Sequence, residues 1–166
     1  MHFFGLVAAI AISALGLPAF GAPSPANDDP VEFHSMLAAR NVSTANENWC
    51  MQNDIVGKTT TASPLAADCQ QIAANIAAGG EWHVGWGGTH QVAQYGTCAI
   101  GVTVLTSMTV MKLGNQDIIK FISRSIDQFL WNGLVGSEAK MNCPDIIDGD
   151  KVTATAQFGL YHDSTE

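Results

Sequence analysis

The four cysteines, Cys50, Cys69, Cys98 and Cys143, all lie beyond an apolar N-terminal run, and that placement constrains the chain most. Phe3 to Leu17 is apolar, broken only by Gly and Ser, and Pro18 follows. Ala19 and Gly21 supply the small residues that a signal peptidase reads. The run is shorter than the ~20 residues a bilayer span needs. Residues 1–21 therefore read as a secretory signal, although no Lys or Arg precedes the run. The alternative is a buried N-terminal helix, and Pro18 with the acidic stretch behind it counts against that. An even number of cysteines in an exported domain points to disulfides rather than thiols. Four cysteines allow three pairings, and sequence alone does not choose among them. The working hypothesis is Cys69–Cys98 with Cys50–Cys143, because Cys69 should face inward from a predicted helix onto the strand that carries Cys98. No CxxC occurs, so a zinc ribbon or thioredoxin-type site has no support.

That strand is the stretch Tyr95–Leu105, which is β-branched, nearly uncharged and bounded by turn residues. Helical patterns lie on both sides of it in sequence. In the first, Leu65, Cys69, Ile72 and Ile76 form one stripe behind Ser63 as cap and Pro64, and Gly79-Gly80 ends it. In the second, Asn115 is the cap and Ile118, Ile119, Ile122, Ile126, Phe129 and Leu130 form a wide apolar face. Glu81–Trp86 alternates, with Trp82, Val84 and Trp86 on one side. Asn48–Met51 and Gln91–Tyr95 read as further strands, and residues 151–160 as a last, half-buried one. Residues 53–61 read as a polar loop, 107–113 as a loop, and 135–150 as a turn-rich connection. The expected class is α+β, a two-layer sandwich in which two helices cover one face of a mostly antiparallel sheet.

The length suits one domain. Its expected bounds are 48–162, preceded by a flexible leader at 22–47 that starts Pro-Ser-Pro after Ala22. Asn41-Val42-Ser43 is a glycosylation sequon within that leader, so Asn41 is a candidate carrier of an N-glycan. The formal net charge is −8 and no basic patch exists, which argues against nucleic acid and anionic membranes as partners. A monomer without a stable membrane span is expected.

Catalytic patterns are weak. Gly-x-Ser-x-Gly is absent, since Gly136-Ser137-Glu138 is flanked by Val135 and Ala139. Asp145, Asp148 and Asp150 read as a turn rather than a glycosidase pair. His83 and His90 make a conceivable metal pair across a hairpin, with no third ligand set by spacing. Gly57-Lys58-Thr59 resembles the tail of a phosphate loop, but Gln52 stands where its first glycine should be. No cofactor is implied. Trp82, Trp86 and Tyr95 are the candidate binding surface for a carbohydrate or protein partner, weighed against a role as core aromatics.

Several motifs coincide: Trp49-Cys50; Ser63-Pro64 with Asp68-Cys69; Tyr95-Gly96-Thr97-Cys98-Ala99; Gly114-Asn115-Gln116-Asp117-Ile118; and Asn132-Gly133-Leu134-Val135-Gly136-Ser137 with Cys143. Together they resemble the fungal family of small secreted effectors called necrosis-inducing factors, the Ecp-type extracellular effector domain. The likeness spans about Asn48 to Leu160, and one departure is Glu138-Ala139 where a glycine is expected after the Gly-Ser. More distantly, the chain is similar to killer toxins built as two-layer α/β sandwiches. The resemblance implies a secreted, non-enzymatic protein that meets an unknown host or competitor protein or glycan. It carries over Cys50, Cys69, Cys98 and Cys143 as structural disulfide positions and supplies no catalytic residues. A killer-toxin-like antimicrobial protein and a secreted hydrolase are the alternatives.

Overall fold

The structure, a computed structural model, describes residues 40–41, 45–147 and 153–163. The signal expected at 1–21 and most of the leader expected at 22–47 lie outside these residues. The elements run β1 (Arg40–Asn41), β2 (Met51–Gly57), α1 (Ala66–Asn75), β3 (Glu81–Gly85), β4 (Thr89–Tyr95), β5 (Cys98–Val104), β6 (Val110–Gly114), α2 (Asn115–Phe129), β7 (Ser137–Pro144) and β8 (Thr153–His162). One sheet has the order β2-β7-β8-β5-β4 and the other β1-β3-β6, with every pairing antiparallel. The class is α+β, with the two helices, antiparallel sheets and two disulfides the pattern predicts.

Alternation fixes the inner face of the larger sheet. Ile100 lies opposite Leu160 and Val102 opposite Phe158; on the other side of β8, Ala139 lies opposite Phe158 and Met141 opposite Ala156. All of these side chains are buried, so a one-residue slip of β8 would turn its whole apolar set to solvent. Both helices contact this face. Cys69 of α1 is bonded to Cys98 of β5, and Phe121 of α2 meets Phe158 edge-on with ring centroids 6.0 Å apart. A buried hydroxyl pair, Ser125 with Ser137 at 2.7 Å, ties α2 to the start of β7.

The covering layer is not helical alone. Trp82 and Val84 of β3, with Met111 and Leu113 of β6, also point into the core. Residues 110–114 and 137–144, expected as loop and connection, are therefore strands. In β7 the inward residues Ser137, Ala139, Met141 and Cys143 include small and polar side chains, which hides the period of two. β2 likewise runs through residues expected to form a polar loop.

The helix entries differ from expectation as well. Leu65, not Ser63, holds the N-cap position of α1, and no side chain of its own caps the helix. The Leu65 N–H donates to Thr97 Oγ1 at 2.9 Å, and that hydroxyl donates to Asp68 Oδ2 at 2.7 Å. A turn between β4 and β5 thus caps α1. Gly96 in that turn has φ 52°, and a Cβ there would meet Asp68 Oδ2 at 2.6 Å, so only glycine fits. Leu134 forms a bridge with Leu65, and Val135 N–H donates to Pro64 O at 3.0 Å, so the Asn132–Ser137 motif braces the same helix entry. The expected leader also touches the body. Arg40 and Asn41 pair with Trp82 and Glu81.

Candidate functional site

The three aromatic residues expected on one binding surface are not together. Trp82 is 2 % exposed and lies in the core, because β3 turns the Trp82–Val84 side inward, toward the larger sheet. Trp86 falls after the end of β3 and is 55 % exposed, and Tyr95 is 47 % exposed. They flank the two ends of β4, whose seven residues span about 20 Å. Trp82 is therefore withdrawn from the binding surface, and Trp86 and Tyr95 cannot act as one aromatic platform. The conceivable His83–His90 pair fails for a related reason: β3 and β4 belong to different sheets. Among the described residues, no group of three His, Cys, Asp or Glu side chains is placed to hold a metal ion.

The Gly114–Asp117 motif is an anchor. Asp117, 3 % exposed, accepts the N–H groups of Gly114 at 2.9 Å, Trp49 at 3.0 Å and Cys50 at 3.0 Å. Asn115, fully buried, accepts from Glu47 N–H at 2.9 Å and donates to Ile76 O at 3.1 Å. Asn115 is thus the first residue of α2 rather than its cap, and its amide joins the ends of two other segments. Burial pushes the Asp117 carboxyl above its ordinary value, against the pull of those three donors. Just downstream, Cys50 is bonded to Cys143 at the far end of β7.

On the outer side of the smaller sheet, Glu81 accepts from His83 Nε2 at 2.7 Å and pairs with Lys112 Nζ at 3.1 Å. Lys112 Nζ also sits 4.0 Å from the centre of the Trp49 ring. Burial pushes the Glu81 carboxyl up, and the hydrogen bonds from Lys112 and His83 more than offset it, leaving it below its ordinary 4.5. A folded value below the unfolded one means stability that is present above pH 4.5 and lost as pH falls through the folded value. Glu81→Gln is expected to cost about 1 kcal/mol at pH 7. Urea titrations at a series of pH values should show the gap from wild type closing in acid.

The outer face of the larger sheet carries a trough. Opposed residues Gly101 and Gly159 sit on adjacent central strands. The space over Gly101 is filled: a Cβ there would meet Tyr161 Cε1 at 2.7 Å and Thr89 Cγ2 at 2.9 Å. Over Gly159 the nearest atom is Tyr161 Cδ1 at 3.9 Å. Tyr161 thus lies along the sheet as a wall, 37 % exposed, its hydroxyl donating to Gln91 Oε1 at 3.4 Å. Burial, and the nearby Asp163 charge, push that hydroxyl above 10.0, so it stays protonated. One hollow, of about 280 Å³, is lined by Gly159, Tyr161, Lys58 and Glu138. It adjoins another of about 450 Å³ lined by Asp54, Glu138, Lys140 and Gln157. Lys58 Nζ and Glu138 Oε2, 3.4 Å apart, bridge the rim. The sequence pattern hides this face because β7, the strand beside β8, carries Ser137 and Ala139 at inward positions and so reads as a connection. The usable signal was a glycine in the polar half of the β8 alternation, between Gln157 and Tyr161.

Among the described residues no helix is long and apolar enough to cross a membrane. Residues 49–143 match the family Hce2, described as "Pathogen effector; putative necrosis-inducing factor". A stretch of 107 residues, 63 % of the chain, is 36 % identical to "Probable chitinase LysM18" of Penicillium expansum. It spans only 7 % of that relative's length. The family match begins at the residue before Cys50 and ends on Cys143, so it holds both disulfides and the Asp117 anchor. Covering more than half of the 166 residues, it shows that the chain belongs to the Hce2 family of pathogen effectors.

Proposed function

We propose that the protein is a secreted effector that acts by binding a host or competitor target, by contact and not by turnover. The family match over residues 49–143 carries this reading. The buried Cys69–Cys98 cystine, the half-buried Cys50–Cys143 cystine and the Asp117 anchor support it physically. They hold a fixed surface, which suits recognition because little ordering entropy is lost on binding. The chitinase name belongs to a relative of which the shared stretch is a small part. The domain is therefore read as a recognition module.

Infiltration of purified, oxidised protein into leaves of several hosts tests the reading. Cell death or an induced defence response with the oxidised protein, and a virulence or competition defect on gene deletion, are the expected results. Neither effect in any host or against any rival fungus would overturn it.

A further inference from the structure

We propose that the trough over Gly159 is a glycan subsite that takes a neutral chain of hexopyranose units. The inference deepens the binding role proposed above and rests on it for the extracellular setting; the site itself is argued from geometry.

The floor comes first. Glycine in the interior of a central strand weakens the strand, so an open one marks a place where something else approaches. Gly101 is accounted for by the Tyr161 ring that occupies its space. Gly159 is not, since the space above it is open to 3.9 Å. The wall comes second. Tyr161 presents an apolar ring whose hydroxyl is protonated and already tethered to Gln91. A ring fixed along a sheet can stack on the C–H face of a sugar without losing rotamer freedom on binding.

The polar groups decide the ligand class. The backbone groups of β5, β7 and β8 are spent in their ladders, so an extended peptide gains no main-chain bonds from this face. What remains is a set of side-chain donors and acceptors, which suits hydroxyl groups. Two ammonium groups, Lys58 and Lys140, stand against two carboxylates, Asp54 and Glu138. The lining is balanced on a chain of net charge −8, so a charged ligand finds no complementary field there. From Gln157 to Tyr161 the trough runs about 14 Å along β8. That length and the two adjoining hollows favour an oligosaccharide over a single sugar.

The test is calorimetric titration of the oxidised, secreted protein with chitohexaose, cellohexaose and laminarihexaose, which separates N-acetylated from plain glucan sources. Wild type is expected to bind at least one. Gly159→Val fills the floor where the neighbouring space is open, so its melting temperature should match or exceed that of wild type. Its affinity should fall at least tenfold. Tyr161→Ala should lose affinity by a similar factor, and it checks the wall independently of the floor. No binding of any of the three by wild type, or Gly159→Val binding like wild type, overturns the inference. If wild type binds no oligosaccharide yet still provokes host cells, the site falls and the effector reading stands. If Gly159→Val loses the sugar but keeps the host response, the site stands and is separated from that response.

Discussion

Replacing Cys50 and Cys143 together by serine should cost about 4.5 kcal/mol by chain entropy, against about 3.5 kcal/mol for the Cys69–Cys98 pair. The difference follows from the loops closed, which have sequence separations of 93 and 29. Domains of this kind have only about 5–15 kcal/mol in all, so the longer loop can decide whether the chain folds at 37 °C. The longer bridge also joins elements that are already neighbours, since Met51 pairs with Asn142 beside it. Its loss therefore frees the β2 edge as well as the unfolded ensemble. Urea midpoints of the two double variants, made in otherwise oxidised protein, give the order directly. A larger loss for the shorter loop would show that native strain or residual structure, not closure entropy, dominates.

Asp117→Ala is expected to cost about 3 kcal/mol, because three backbone donors lose their acceptor at once and the site is buried. The melting temperature should drop by roughly 10 °C. Asp117→Asn keeps the shape and one acceptor oxygen but turns an NH2 group toward a donor, so it should recover only part of the loss. An alanine variant that melts within about 2 °C of wild type would mean that water replaces the carboxylate, and the anchor would then be unimportant to stability.

Much of the fold was legible where side-chain pattern and backbone role coincide. The stripe of Cys69, Ile72 and Ile76, the broad face of Ile118 and Ile122, and the alternation in β8 each report burial directly, whereas Leu65 at the head of the first stripe is exposed. β6 and β7 were not legible. The inward positions of β7 mix Ser137, Ala139 and Cys143 with Met141, and β6 is five residues long with only Met111 and Leu113 as inward apolar side chains, too short a run to show a period. The helix starts differ from expectation for two reasons: Thr97, far away in sequence, serves α1, and at α2 Asn115 serves Glu47 while Asp117 closes on Gly114. Trp82 was misassigned because one strand face carries both a core residue and, past the strand end, the exposed Trp86. The trough depends on register between β5, β7 and β8, which no single segment reveals.

β8 sits in the middle of the five-strand sheet, yet it follows the last residue of the family match. A gene fragment cut to the recognisable window would drop the strip on which both halves of that sheet hydrogen-bond, leaving two raw edges. The inheritable block is therefore longer than its signature, and any exchange of this module between larger proteins must break downstream of His162 to carry a foldable piece.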